Sequence, residues 1–178
     1  MSERDERAIE PVEWAMLVDP AWRPSPKEPE APIDKIMGVW PIDAHGVRQR
    51  FRPNPAYLPF DPEGVLDPVD GVLRLLAEGK EVAEYLPEVL ADVLLDIAVD
   101  GEGTAVVVPA PDGVPSVVVA TAPGHRLRVD VPGWKSVSTV ELAEALPERG
   151  VDVLLNPGSA TSMRVDSDVI RRSASSRR

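Results

Sequence analysis

The sequence predicts an α+β fold, a mostly antiparallel sheet with helices packed on it in one domain. Three observations carry this. Valine-dense runs at 93–99, 104–110 and 115–121 are separated by Asp-Gly and Pro-Asp-Gly turns, the pattern of strands joined by tight reversals. Stretches around them place apolar residues three and four apart behind helix-capping side chains. A chain of 178 residues suits one domain, which at this length buries roughly 70% of its unfolded surface.

Residues 1–32 read as a flexible, Pro-rich N-terminal extension of a domain spanning 33–172. Residues 1–12 have too little apolar content to resist fraying, and "DPAWRPSPKEPEAP" (19–32) alternates prolines with charges, so its backbone cannot join a helix or a central strand. An extended, mobile connector is expected there. Next, "KIMGVWPID", a turn at Ala44-His45-Gly46 and "VRQRFRPN" predict a hairpin.

Asp67 is a good N-cap with Pro68 at the first helical position, and Val69, Val72, Leu73 and Leu76 form one apolar stripe before Gly79. Val82, Leu86, Val89, Leu90 and Val93 repeat the spacing, with a restart expected at Pro87 because proline lacks the amide of a continuous helix. Glu81, Glu84 and Glu88 fall on the solvated side of that helix. The three valine-rich runs then read as sequential antiparallel strands covered on both faces.

Ser138 with Glu141 forms a capping box, and Val137 with Leu142 a hydrophobic staple, so a helix is predicted from Thr139 to about Leu146. "VDVLL" (151–155) reads as a buried strand and "SMRV" (162–165) as its partner. Asp166 caps a last short helix around 167–171, and residues 173–178 are expected to be a disordered basic tail. Trp134, after Pro132-Gly133, is assigned to the core.

Composition excludes several chemistries. There are no cysteines, so disulfides, thiolate metal sites and a cysteine nucleophile are ruled out, and two histidines far apart do not make a zinc site. Net charge is −11 even though Arg171, Arg172, Arg177 and Arg178 crowd the C-terminus, which argues against nucleic acid as a partner. A basic protein surface is the natural complement. No run approaches the roughly 20 apolar residues of a membrane helix, and the N-terminus is charged where a secretory signal is apolar. A cytoplasmic location is expected, with no integral membrane segment.

Neither "DGEGTA" nor "PDGVPS" has the Lys-Ser/Thr of a phosphate loop, and there is no calcium-loop pattern; neither metal nor cofactor is expected. His125, in the Gly-flanked basic stretch "TAPGHRLRVD", reads as a surface histidine, and His45 as a turn residue. Trp22, in the connector, is a candidate contact residue.

"GVDVLLNPGSATSMRV" (150–165) has two readings. Asn156-Pro157-Gly158 fits a type II turn that reverses the chain, with Pro157 presetting φ and Gly158 supplying positive φ; turn chemistry alone favours this. Alternatively Asn156, Ser159, Thr161 and Ser162 form a binding loop at a strand end, with Thr121 and His125 on the neighbouring loop.

"TAVVVPAPDGVPSVVVATAPGH", a following tryptophan, the capped helix and "GVDVLLNPGSATSMRV" resemble the SseB-like domain, and within it the actinobacterial type VII secretion system-associated proteins. "WAMLVDPAW", "GVWPIDAHGVRQRFRPNPAYLP" and "DPVDGVLRLLAEG" extend the resemblance from about Trp14 to Val165. The Asn-Pro-Gly after a hydrophobic strand and the Pro-Asn-Pro-x-Tyr at 53–57 are its sharpest features. Where SseB-like domains tend to carry an aromatic-Thr-Ser-Pro segment, this chain has Ala120-Thr121-Ala122-Pro123. The resemblance implies a non-enzymatic accessory or adaptor protein whose partner is a type VII secretion component or an exported WXG-type protein. A small-metabolite-binding regulator and an immunity protein against a basic secreted toxin are the alternatives.

Overall fold

The computed structural model describes residues 13–176. The fraying expected over 1–12 and the last two arginines of the expected tail therefore lie outside the described residues. Among the described residues the architecture is α+β: a three-stranded antiparallel sheet at the N-terminal side, a six-stranded mixed sheet, and five α-helices.

The small sheet consists of β1 (Glu13–Val18), β2 (Ile36–Ile42) and β3 (Arg52–Pro53), in that order. The predicted hairpin is β2 and β3, whose register sets Val39 opposite Arg52. β1 corrects the expectation of a flexible extension over residues 1–32. "EWAMLV" has the alternation and β-forming side chains of a strand, and it pairs with β2 from Glu13↔Ile42 to Val18↔Ile36. Beyond it, Asp19 ties the connector to the body: its amide donates to the Lys35 carbonyl, and its carboxylate accepts from the Tyr57 hydroxyl and the Phe60 amide. Ser25 and Glu28 bond each other's backbone in a tight turn, so the proline-charge stretch is folded back rather than extended.

Among the described residues, three of the five α-helices begin at side-chain caps, Asp67, Ser138 and Asp166. α1 (Pro68–Ala77) starts at Asp67, whose side chain accepts from the Asp70 amide, and ends before Gly79, which takes φ +77°. After a 3-10 turn at Ala83–Tyr85, α2 (Leu86–Ala91) starts with Pro87 inside its first turn. Glu81, Glu84 and Glu88 are exposed, as the period requires.

The main sheet comprises β4 (Leu95–Val99), β5 (Val107–Pro109), β6 (Pro115–Ala120), β7 (Gly133–Val137), β8 (Asp152–Leu155) and β9 (Met163–Val165). The order is β7-β4-β6-β8-β9, with β5 pairing β6 off that path. β4, β5 and β6 are sequential in the chain but not in the sheet. β6 is shared lengthwise, its first half pairing β5 and its last two residues pairing β4, while β4 meets β5 only through a Val99–Ala105 bridge. β7, absent from the sequence reading, takes the other edge of β4. Trp134 lies on this edge strand and is half-buried, a correction of its assignment to the core: an edge position has no further strand to cover it.

Between β6 and β7 runs the short α3 (Pro123–Arg126). α4 (Thr139–Ala145) has the full capping box, the Ser138 hydroxyl accepting from the Glu141 amide while the Glu141 carboxylate accepts from the Ser138 amide. α5 (Ser167–Ser175) runs past the predicted end near Arg171, so the disordered tail expected at 173–178 does not begin at Ser173. Ser173 and Ala174 are buried where α5 packs against α2 and α4, and that packing outweighs the weak helix propensity of serine.

One core joins these layers. Leu73, Leu90, Leu142 and Ile170 from the helices meet Leu95, Ile97, Val117, Val119, Val153 and Leu155 from alternate positions of β4, β6 and β8. Full burial of each such side chain stabilises by about 1.5–3 kcal/mol. The intervening residues Asp96, Ala98, Val118 and Leu154 are buried as well, so these central strands are covered on both faces.

Candidate functional site

The parallel pairing of β6 with β8 aligns Val119 with Leu155, so the residues that follow, Thr121 and Asn156, emerge side by side at the carboxyl ends of the strands. Open sheets containing parallel strands commonly place binding groups there. The Asn156 amide donates to the Val119 carbonyl at 2.8 Å, continuing the ladder one step past β8. Asn156 then turns to φ +50°, a left-handed conformation asparagine tolerates better than most residues.

The predicted turn is present: the Ser159 amide donates to the Asn156 carbonyl at 3.1 Å, and Gly158 has φ +79°. The Asn156 side chain is nevertheless no surface feature. It is fully buried, Oδ1 accepting from the Thr121 amide at 2.9 Å and Nδ2 donating to Thr121 Oγ1 at 3.0 Å. Turn and cross-strand clamp are thus one structure.

α1 closes the node from above. Thr121 Oγ1 donates to Asp67 Oδ2 at 2.6 Å, and Thr161 Oγ1 donates to Asp70 Oδ1 at 2.5 Å. Asp70 Oδ2 accepts from the Leu66 amide. The two carboxylates are essentially without solvent contact, and burial pushes the Asp67 carboxyl up to about 6 against the hydrogen bonds from Thr121 and the Asp70 amide.

His125 is the buried residue of α3, with its Nε2 3.8 Å from Asp70 Oδ2, beyond hydrogen-bond distance, and neither ring nitrogen has a hydrogen-bond partner. It is 2% exposed, which corrects its reading as a surface histidine. Pro123 starts a helical turn at that point, and the turn rotates the imidazole inward behind the Gly-flanked stretch. Burial drives the ring toward its neutral form; the Asp70 charge opposes this, while Arg128 and Arg74 reinforce it.

Of the seven residues singled out from sequence, Thr121, His125, Asn156 and Thr161 converge. Ser159 is half-buried at the edge, its hydroxyl 3.2 Å from Thr161 Oγ1. Ser162 is exposed and contributes only its backbone, donating to the Ser159 carbonyl. Trp22 lies in the turn after β1, half-buried and outside the node. Asp67 and Asp70 were missed as members. Asp67 was visible only as a cap, and nothing local distinguishes a cap that faces solvent from one driven into a sheet end.

Beside the node runs a groove of about 340 Å³ between the Pro53–Leu58 loop and the α3 segment, with Met37, Leu66 and Ala122 along it. Residues of the α3 segment alternate between the two features: Thr121 and His125 point inward, whereas Ala122, Gly124 and Leu127 line the groove. Gly124 packs closely against Leu66: a Cβ there would come within 2.8 Å of Leu66 Cδ1 and displace the end of that side chain. Among the described residues no cluster of three or more His, Asp or Glu side chains is arranged to hold a metal ion, and no helix is long and apolar enough to cross a membrane.

No protein-family model, curated protein or solved structure matches this chain. The class that the structure itself defines is an α+β domain with a sealed polar clamp at the carboxyl ends of two parallel strands, flanked by an open apolar groove.

Proposed function

We propose that this protein is a non-catalytic, cytoplasmic accessory or adaptor protein of type VII secretion, binding a secretion component or an exported WXG-type protein. The observation that carries the reading is the direction of the polar groups. Thr121, Asn156, Asp67, Thr161 and Asp70 spend their hydrogen-bonding capacity on one another below the surface, which serves to brace the loops rather than to meet a substrate. The surface beside them is apolar, as a protein-binding surface is at its centre. The resemblance to SseB-like secretion-associated proteins supplies the pathway, and the net charge of −11 suits a partner with a basic surface.

The test is capture by the tagged protein in an actinobacterial host with a type VII system, at low and at high salt. Specific recovery of a secretion component or WXG-type protein, weakening as salt rises, is expected. Recovery of neither class defeats the proposal.

A metabolite-binding regulator has one observation in its favour, the two partnerless ring nitrogens of His125. A thermal-shift screen with amino acids and nucleotides decides it: a rise in Tm that disappears in His125→Leu supports that reading, and a flat screen removes it.

A further inference from the structure

The groove between the Pro53–Leu58 loop and α3 has unusual chemistry for so acidic a protein. Its rim holds large apolar side chains that the fold does not cover: Leu127 is 89% exposed and Leu58 63%. Apolar side chains standing proud around a depression mark a surface built for contact.

The polar groups along the groove are already committed elsewhere, with one exception. Asn54 Nδ2 donates to the carbonyls of Ile33 and Ile36, and the Tyr57 hydroxyl donates inward toward Asp19 and the Val65 carbonyl. Pro53, Pro55 and Pro123 have no amide to give, so these walls cannot extend a sheet onto an incoming strand. The exception is Arg126. Its Nε lies 3.6 Å from Asp96 Oδ2, a loose pairing, and among the described residues its guanidinium makes no hydrogen bond. Arg52, next to Pro53, is a second exposed cation, with no ion pair among the described residues, whereas Asp34 is matched by Lys35 at 3.5 Å.

We infer that this groove docks a short segment of a protein partner that presents two or three apolar side chains beside a carboxylate, with Arg126 receiving the carboxylate and Leu58 and Leu127 gripping the apolar residues. The inference rests on the protein-binding reading above and names its surface. Charge complementarity selects this occupant. Over most of a body of net charge −11 an acidic segment is repelled, so a cationic, apolar groove fixes where and in which register it binds. The exposed rim favours a macromolecular segment over a small acid, which a pocket would enclose.

The experiment pans a random 12-residue phage-displayed peptide library on the immobilised full chain, then measures synthetic binders by fluorescence anisotropy at low and high salt. Enriched peptides are expected to carry Asp or Glu within one turn of Leu, Ile or Phe. Leu127→Asp should weaken them by about tenfold or more, and Arg126→Gln by several-fold with loss of the salt dependence. Leu127 is too exposed for its replacement to unfold the domain, and Leu58→Glu is a second probe of the same rim. No enrichment, enrichment of basic peptides, or binding indifferent to all three substitutions overturns the inference. So does displacement of the peptides by octanoate at comparable affinity, which marks a small-acid site, or self-association that Leu127→Asp abolishes, which marks a second copy. If peptides bind the groove but no secretion partner is captured, the groove stands and the pathway falls. If Leu127→Asp captures the same secretion partner as well as the wild type, the groove falls and the pathway stands.

Discussion

Replacing Asn156 by alanine tests the clamp most directly. The side chain is fully buried, and its Oδ1 is the acceptor for the Thr121 amide. Alanine leaves that amide buried without a partner, which costs about 1–3 kcal/mol. Holding alanine at the φ of +50° seen at this position adds about 1–2 kcal/mol. Loss of the Nδ2 bond to Thr121 Oγ1 brings the total to about 3–5 kcal/mol. For a domain of this size each kcal/mol moves Tm by about 2–4 °C, so a drop of about 6–20 °C is expected. Scanning calorimetry and urea unfolding measure it, with the midpoint falling and the m-value unchanged. Asn156→Gly separates the two causes: it orphans the same amide but accepts the left-handed backbone, and should recover about 1 kcal/mol relative to alanine. A loss below about 1 kcal/mol for alanine, or no difference between the two variants, refutes the reasoning.

Three further outcomes follow from the same site and its surroundings. Asp67, raised from 3.8 to about 6, binds a proton in the folded state before the unfolded chain does, so its contribution is full below pH 3.8 and is lost as pH rises through about 6. Asp67→Asn keeps the acceptor for the Asp70 amide and removes this dependence; its stability relative to wild type should climb by up to about 3 kcal/mol between pH 4 and 7 in urea titrations. His125 has the opposite sign: its folded value is held below 6.5 by burial, so the unfolded chain takes the proton first and stability is lost as pH falls below 6.5. His125→Leu, which also removes two partnerless buried nitrogens, should be at least as stable as wild type at pH 7.5 and lose less on going to pH 5.5, read by thermal unfolding at the two values. Ser138→Ala should cost about 0.5–2 kcal/mol through loss of the α4 cap, with binding in the groove unchanged.

What could be read in advance was whatever one stretch of chain decides alone. Asp67 with Pro68, the Ser138–Glu141 box, Asp166, and the glycines at 79 and 158 announce helix ends and turns because a cap or a positive φ is satisfied within a few residues. β1 escaped because the prolines after it drew the whole N-terminal stretch into one expectation, and only β2 opposite reveals it as a strand.

The sequence by itself determined an α+β chain, its caps, its turns and most of its strands, along with an acidic body free of cysteine chemistry. Tertiary structure decided the strand order, the burial of His125, and the meeting of Asp67 with Thr121 across 54 residues and of Asp70 with Thr161 across 91. The physical reason is reach. A cap or turn is settled by bonds within about one helical turn, whereas a parallel strand pair exists only once a crossover has returned the chain to the sheet, and no local pattern records which loop it returns beside.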